Sequence, residues 1–136
     1  MTRVVIDTNV IVSGLLKAGS PPAMVLNLAL SDRIHVLVDE SVLSEYEAVL
    51  HRKKFGFDPD AVDDVLAFLR FESEHVVATP SAKTTSDPGD QKFYDIAIFG
   101  DAAYLITGNQ AHFPVEKWIV TPREFVDRYR ASKIDD

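Results

Sequence analysis

The chain has 136 residues, 46% of them hydrophobic and 26% charged, with a formal net charge of −7 and no cysteine. This length and balance fit one soluble globular domain that buries roughly two thirds of its unfolded surface, and the missing cysteine excludes disulfides, Cys-rich zinc sites and thiol nucleophiles. The acidic balance argues against a grip on nucleic acid through a general positive field, and no apolar stretch approaches the roughly 20 residues of a membrane span, so a cytoplasmic location is expected.

The first predicted element is a strand over Val4-Val5-Ile6, an uninterrupted β-branched run typical of a central strand covered on both faces. It stops on Asp7. Ligands of open α/β sheets bind beyond the carboxyl ends of the strands, so an acid there is well placed for chemistry; the competing role for Asp7 or Thr8 is to cap the next helix. A helix over residues 10–16 is expected, and then Ser20, followed by Pro21-Pro22, opens a second helix carrying Ala23, Leu26, Leu28 and Leu30. Residues 34–38 read as a second strand ending on Asp39-Glu40. Ser41 is expected to cap a third helix with the stripe Val42, Leu43, Tyr46, Val49 and Leu50, closed by the cations of His51-Arg52-Lys53-Lys54.

Asp58-Pro59 opens a fourth helix whose buried face is Val62, Val65, Leu66 and Leu69. Residues 75–78 read as a third strand, and residues 79–89 as a Ser/Thr/Pro-rich surface loop. A helix over residues 91–99, a strand over 104–107, the turn Gly108-Asn109 and a short strand over 118–120 come next. Thr121-Pro122-Arg123-Glu124 is a capping-box start for the last helix, with a flexible tail expected over 131–136. Strands alternate with helices and nothing repeats, which predicts a single α/β domain: a central parallel sheet of four to five strands flanked by helices on both faces.

Projected at helical spacing, Phe93, Ile96, Ala97 and Gly100 form the inward stripe of the fifth helix, with Asp90 on the same line one turn earlier and Asp95 directed towards water. The spacing therefore nominates Asp90 over Asp95, with an N-cap as the competing role. Glu45 and Glu47 flank the stripe of the third helix on opposite sides, and periodicity does not choose between them. Carboxylates about 4 Å apart repel by roughly 4 kcal/mol at an effective dielectric of 20, so a cluster of acids needs protons or a cation. Hard oxygen donors without cysteine or a close histidine pair favour Mg²⁺ or Mn²⁺ over zinc.

Four segments carry a resemblance: Asp7-Thr8-Asn9-Val10, Ser41-Val42-Leu43-Ser44-Glu45-Tyr46-Glu47-Ala48-Val49-Leu50, Asp87-Pro88-Gly89-Asp90-Gln91-Lys92-Phe93, and Tyr104-Leu105-Ile106-Thr107-Gly108-Asn109. In this order they resemble the successive motifs of PIN-domain proteins, and more narrowly the toxin components of bacterial toxin–antitoxin systems, relatives of the VapC-type ribonucleases. The resemblance implies that Asp7, Glu45 and Asp90 hold one or two Mg²⁺ or Mn²⁺ ions that activate water against an RNA phosphodiester, and so selects Glu45 over Glu47. It implies supporting roles around the ligands for Thr8, Asn9, Asp87 and Thr107. It also implies an RNA substrate, a protein antitoxin and a homodimer. Asn109 departs from the pattern, which has Asp after Thr-Gly. With one negative charge gone, a first ion stays plausible, a second is less secure, and weakened metal binding and activity are expected.

Arg52, Lys53 and Lys54 beside Phe55 and Phe57 form the best cluster for a phosphate backbone, in competition with simple closure of a helix. Arg123, Arg128 and Arg130 read as solvated or partner-facing surface, and His35, His51, His75 and His112 lack metal-ligand spacing and read as structural. No G-x-S-x-G elbow, P-loop or G-x-G-x-x-G occurs, so serine hydrolase, nucleotide kinase and dinucleotide oxidoreductase have no support. The expected activity is a metal-dependent ribonuclease. The alternatives are a catalytically degenerate PIN domain that binds RNA or protein, and a metal-dependent phosphatase.

Overall fold

The computed structural model describes residues 1–134. Five strands, β1 (Arg3–Ile6), β2 (His35–Val38), β3 (Glu74–His75), β4 (Tyr104–Ile106) and β5 (Ile119–Val120), form one sheet in the order β3-β2-β1-β4-β5, parallel throughout. Six helices accompany them, the first five between strands and the sixth after β5: α1 (Thr8–Leu16), α2 (Pro21–Leu30), α3 (Glu40–Leu50), α4 (Pro59–Glu72), α5 (Gln91–Phe99) and α6 (Pro122–Ile134). The expected α/β architecture is the one observed. Connections from β1 to β2 and from β2 to β3 step one way along the sheet, and the connection from β3 to β4 steps back past β1. α5 packs on β1, β2 and β4 and also meets α3, which in turn meets α1 and α4. β1 and β4, where the direction of winding reverses, are neighbours.

The strands are apolar because both faces are covered. Val4, Val5, Ile6, Leu37, Val38, Leu105 and Ile106 are all buried, consistent with a fully covered parallel sheet. Gly14 lets α1 and α2 meet closely, since a Cβ there would lie 2.9 Å from the Pro22 carbonyl oxygen. Several helix starts follow local chemistry: Ser20 Oγ accepts from the Ala23 amide, Asp58 accepts from the Asp60 amide, and Thr121 and Glu124 cap each other reciprocally.

Several expectations differ from the structure. Asp39, not Ser41, caps α3: its Oδ1 accepts from the Val42 amide at 2.8 Å and also from the Ser41 hydroxyl, and an anion suits the positive end of the helix better than a hydroxyl. The strand expected over residues 75–78 shrinks to Glu74–His75, because β2 ends at Val38; the Val76 amide makes the last bond to it and Val77 is 95% exposed. The cations Arg52, Lys53 and Lys54 lie beyond the end of α3, on or beside a 3-10 turn over Lys53–Phe55, and therefore do not close that helix. At the other end of the chain, α6 continues through Ile134, into the stretch expected as a tail, and 135–136 lie outside the described residues. No described helix is long and apolar enough to cross a membrane.

Candidate functional site

The register of β1 against β4 pairs Ile6 with Ile106, so the next residues, Asp7 and Thr107, emerge side by side where the winding reverses. Such a switch point is the usual ligand crevice of an open parallel sheet. Asp7 is only 4% exposed, and although it stands at the N-cap position of α1 its side chain makes no capping bond. Its Oδ2 instead accepts from the Thr107 hydroxyl at 2.8 Å and, at 3.4 Å, from Asn9 Nδ2. Asn9 Oδ1 accepts from the Gly108 amide at 3.1 Å, and Thr107 Oγ1 from the Asn109 amide at 2.9 Å. The first and fourth motifs are thus laced together by Asn9 and Thr107.

The second motif arrives through Tyr46. This residue is wholly buried, donates its hydroxyl to the Ile6 carbonyl at 2.5 Å and lies 6.4 Å, ring centre to ring centre, from Phe93. It therefore anchors α3 to the end of β1 and to α5 together, which sets Glu45 over the crevice and leaves Glu47 exposed. The Thr8 hydroxyl donates to Glu45 Oε2, and Lys92 Nζ sits 2.7 Å from Glu45 Oε1.

Asp90 also occupies an N-cap position, of α5, without capping it, while Asp87 holds the preceding 3-10 turn through the Gly89 amide. Asp90 Oδ2 lies 3.2 Å from His112 Nδ1. Asp95 is half-buried rather than free in water: the loop before α5 folds back to it, and its Oδ1 accepts from the Ser81 amide at 3.0 Å and from Gln91 Nε2 at 2.9 Å. A helical projection has no means of representing that loop.

The crevice carries more negative charge than its positive groups offset. Burial pushes the Asp7 carboxyl up to about 6, with the charges of Asp90 and Glu45 adding to the rise and the Thr107 hydrogen bond opposing it. Asp90 is raised as well, by desolvation first, with Asp87 and Glu45 contributing and His112 opposing. Asp7, Glu45 and Asp90 thus share one electrostatic neighbourhood. Their carboxylates do not converge as a closed ligand set: among the described residues, no group of three or more His, Asp or Glu side chains is arranged to hold an ion. Each acid already has a partner within the chain: Thr107 for Asp7, Lys92 for Glu45 and His112 for Asp90.

Asn109 is exposed beside a cavity of about 440 Å³ that adjoins the crevice and is also lined by Asn9, Val10, Pro21, Pro22 and Arg123. That volume is within the range of roughly 300–1,000 Å³ for small-molecule sites. A larger cavity of about 750 Å³, lined by Arg3, Arg33, Tyr104 and Arg128 among others, lies at the opposite, amino-terminal edge of the sheet. Arg52, Lys53 and Lys54 are exposed and make no ion pair or side-chain hydrogen bond with the crevice acids; Lys54 lies over the Phe55 ring. Three residues at the site carry no site role in the sequence analysis: Tyr46 reads there as core, His112 as structural and Lys92 only as part of the third motif. Lys92 had a signal, two positions after Asp90 within the third motif, whereas His112 is brought to Asp90 only by the turn after β4.

Residues 3–111 match the family model described as PIN domain. The chain is also similar to an uncharacterized protein of Methanocaldococcus jannaschii, 27% identical over a 146-residue alignment that covers 93% of this chain and 91% of the relative. PIN domains are generally nucleases, and their catalysis typically uses divalent metal. Motif order, sheet topology and the family match agree, and the chain belongs to the PIN-domain family.

Proposed function

We propose that this protein is a metal-dependent endoribonuclease in which Asp7, Glu45 and Asp90 hold Mg²⁺ or Mn²⁺ and Asn109 adds a weaker, neutral donor. The observation that carries the reading is Asp7 itself: a carboxylate 4% exposed, left uncapped at the switch point, and raised to about 6 in part by two further acids. The donors are hard oxygens and their charge is only partly offset, which is the chemistry a divalent cation fits.

Bound there, the ion would supply Lewis-acid stabilisation and a more nucleophilic water. The chain's own residues do the positioning. Thr107 and Asn9 fix the orientation of Asp7, Thr8 fixes one oxygen of Glu45, and His112 lies 3.2 Å from one oxygen of Asp90. The cavity beside Asn9 and Asn109 offers apolar walls for a base next to the scissile bond, with Arg123 placed for its phosphate. Arg52, Lys53 and Lys54 would extend the contact along a longer strand. The likeness of the four motifs to toxin components extends the reading to a cytoplasmic toxin that works as a homodimer and is restrained by a protein antitoxin.

Purified protein with Mn²⁺ and labelled single-stranded RNA is expected to cleave, and Asp7→Asn to reduce cleavage by at least about a hundredfold with the fold retained. Restoring the acid, Asn109→Asp, is expected to tighten Mn²⁺ binding about tenfold and to raise cleavage. The second reading, a degenerate module, is favoured by Asn109 and by the Lys92–Glu45 pair. RNA binding that persists with no cleavage in either protein would select it.

A further inference from the structure

Lys92 is set apart from the other lysines by what surrounds it. Its ammonium lies 2.7 Å from Glu45 Oε1 and donates to the Gly89 carbonyl at 2.5 Å, and it stands 5.2 Å from the centre of the Phe93 ring. Its side chain is only 22% exposed, unusual for a residue type that is mostly solvated. With the Thr8 hydroxyl on the other oxygen, both oxygens of Glu45 are engaged from within the chain. Among the described residues it is the only lysine or arginine in an ion pair with Asp7, Glu45 or Asp90.

We propose that Lys92 is a tethered cation that occupies the place of a divalent ion on Glu45 and thereby sets how tightly the crevice takes up metal. The inference rests on the metal-nuclease reading above. An ion ligated by Glu45 Oε1 would sit beside the ammonium on the same oxygen, where the two like charges repel at contact distance. Uptake of the ion therefore requires Lys92 to release Glu45 and swing towards solvent, and the lost ion pair is subtracted from the binding free energy. Glu45 stays oriented meanwhile, because Thr8 and Tyr46 fix it independently of Lys92. Lys92 is in this sense a positioning residue: it acts through Glu45 on affinity for metal.

Titration calorimetry with MnCl₂ on the full chain, for wild type, Lys92→Met, Glu45→Gln and the double variant, tests the exchange, with circular dichroism checking the fold of each. Lys92→Met is expected to bind Mn²⁺ about tenfold more tightly than wild type, the size of one charge-assisted contact. In the Glu45→Gln background the same change should leave affinity unaltered, since the competition runs through Glu45. Equal or weaker binding by a folded Lys92→Met, beside a wild type that does bind, overturns the tethered-cation role and leaves the nuclease reading standing. A loss of cleavage with unchanged affinity would place Lys92 on the substrate phosphate and equally overturn it. Wild type that neither takes up Mn²⁺ nor cleaves RNA defeats the nuclease reading, and this inference with it.

Discussion

Two carboxylates at opposite ends of the same sheet titrate in opposite directions. At the amino-terminal edge, Glu74 of β3 receives a two-pronged bond from Arg3 of β1, at 2.8 and 2.9 Å, and lies 3.0 Å from His35 of β2; Arg3 first, and then His35, hold its carboxyl down at about 2. At the carboxyl-terminal edge, Asp7 has hydroxyl and amide partners but no cation of its own, and sits at about 6. One end is neutralised and ties three strands together. The other retains uncompensated charge that a ligand could neutralise, and the fold is less stable for it, a familiar exchange at functional sites.

The contrast is broken most strongly at Asp7. Its folded value of about 6 exceeds the ordinary 3.8, so the folded chain binds this proton more tightly than the unfolded chain does. The stability it contributes is therefore full below about pH 4 and is lost as pH rises through 6. About 2 units correspond to about 3 kcal/mol, and Asp7→Asn should stabilise the protein by about 2–3 kcal/mol at pH 8 without added metal. Urea denaturation at pH 8 and pH 4 reads this directly; an equal effect at both pH values would refute it.

A smaller effect is expected at Thr107, which is fully buried. Thr107→Val removes the donor to Asp7 and the acceptor for the Asn109 amide, and should cost about 1–2 kcal/mol at pH 8. The deficit should shrink below pH 6, where Asp7 takes up its proton, and chemical denaturation across that range would detect the change. The smallest effect belongs to the balanced end. Glu74 is depressed, so its contribution is present above about pH 4.5 and lost as pH falls towards 2. Its side chain is 39% exposed, solvent screens the pair, and Glu74→Gln should cost at most about 1 kcal/mol at pH 7. Cleavage should be unchanged by that substitution, and a loss would mean that the two ends are coupled.

Sequence reading worked best where chemistry is local. The β-branched run ending on Asp7, the Ser20 and Asp58 caps and the Thr121/Glu124 box depend on neighbours within a few positions, and each forms as expected. It was least secure where a residue's partner comes from elsewhere. Asp7 and Asp90 each stand at a cap position, and only the structure reveals that neither side chain caps. A helical projection contains no loop and so directs Asp95 to water, and residues 76–78 read as a strand because the length of β2 is not written in them.

The order of strands and helices, and the four motifs of the family, were determined by the sequence alone, because hydrophobic period, capping and turn chemistry act over one or two turns of chain. Which oxygen each acid offers was decided only by tertiary structure. Thr107 lies 100 residues from Asp7 along the chain, Lys92 comes to Glu45 from another helix and His112 to Asp90 from the turn after β4. Burial and long-range charge, the forces that divide Asp7 from Glu74, exist only once those segments have met.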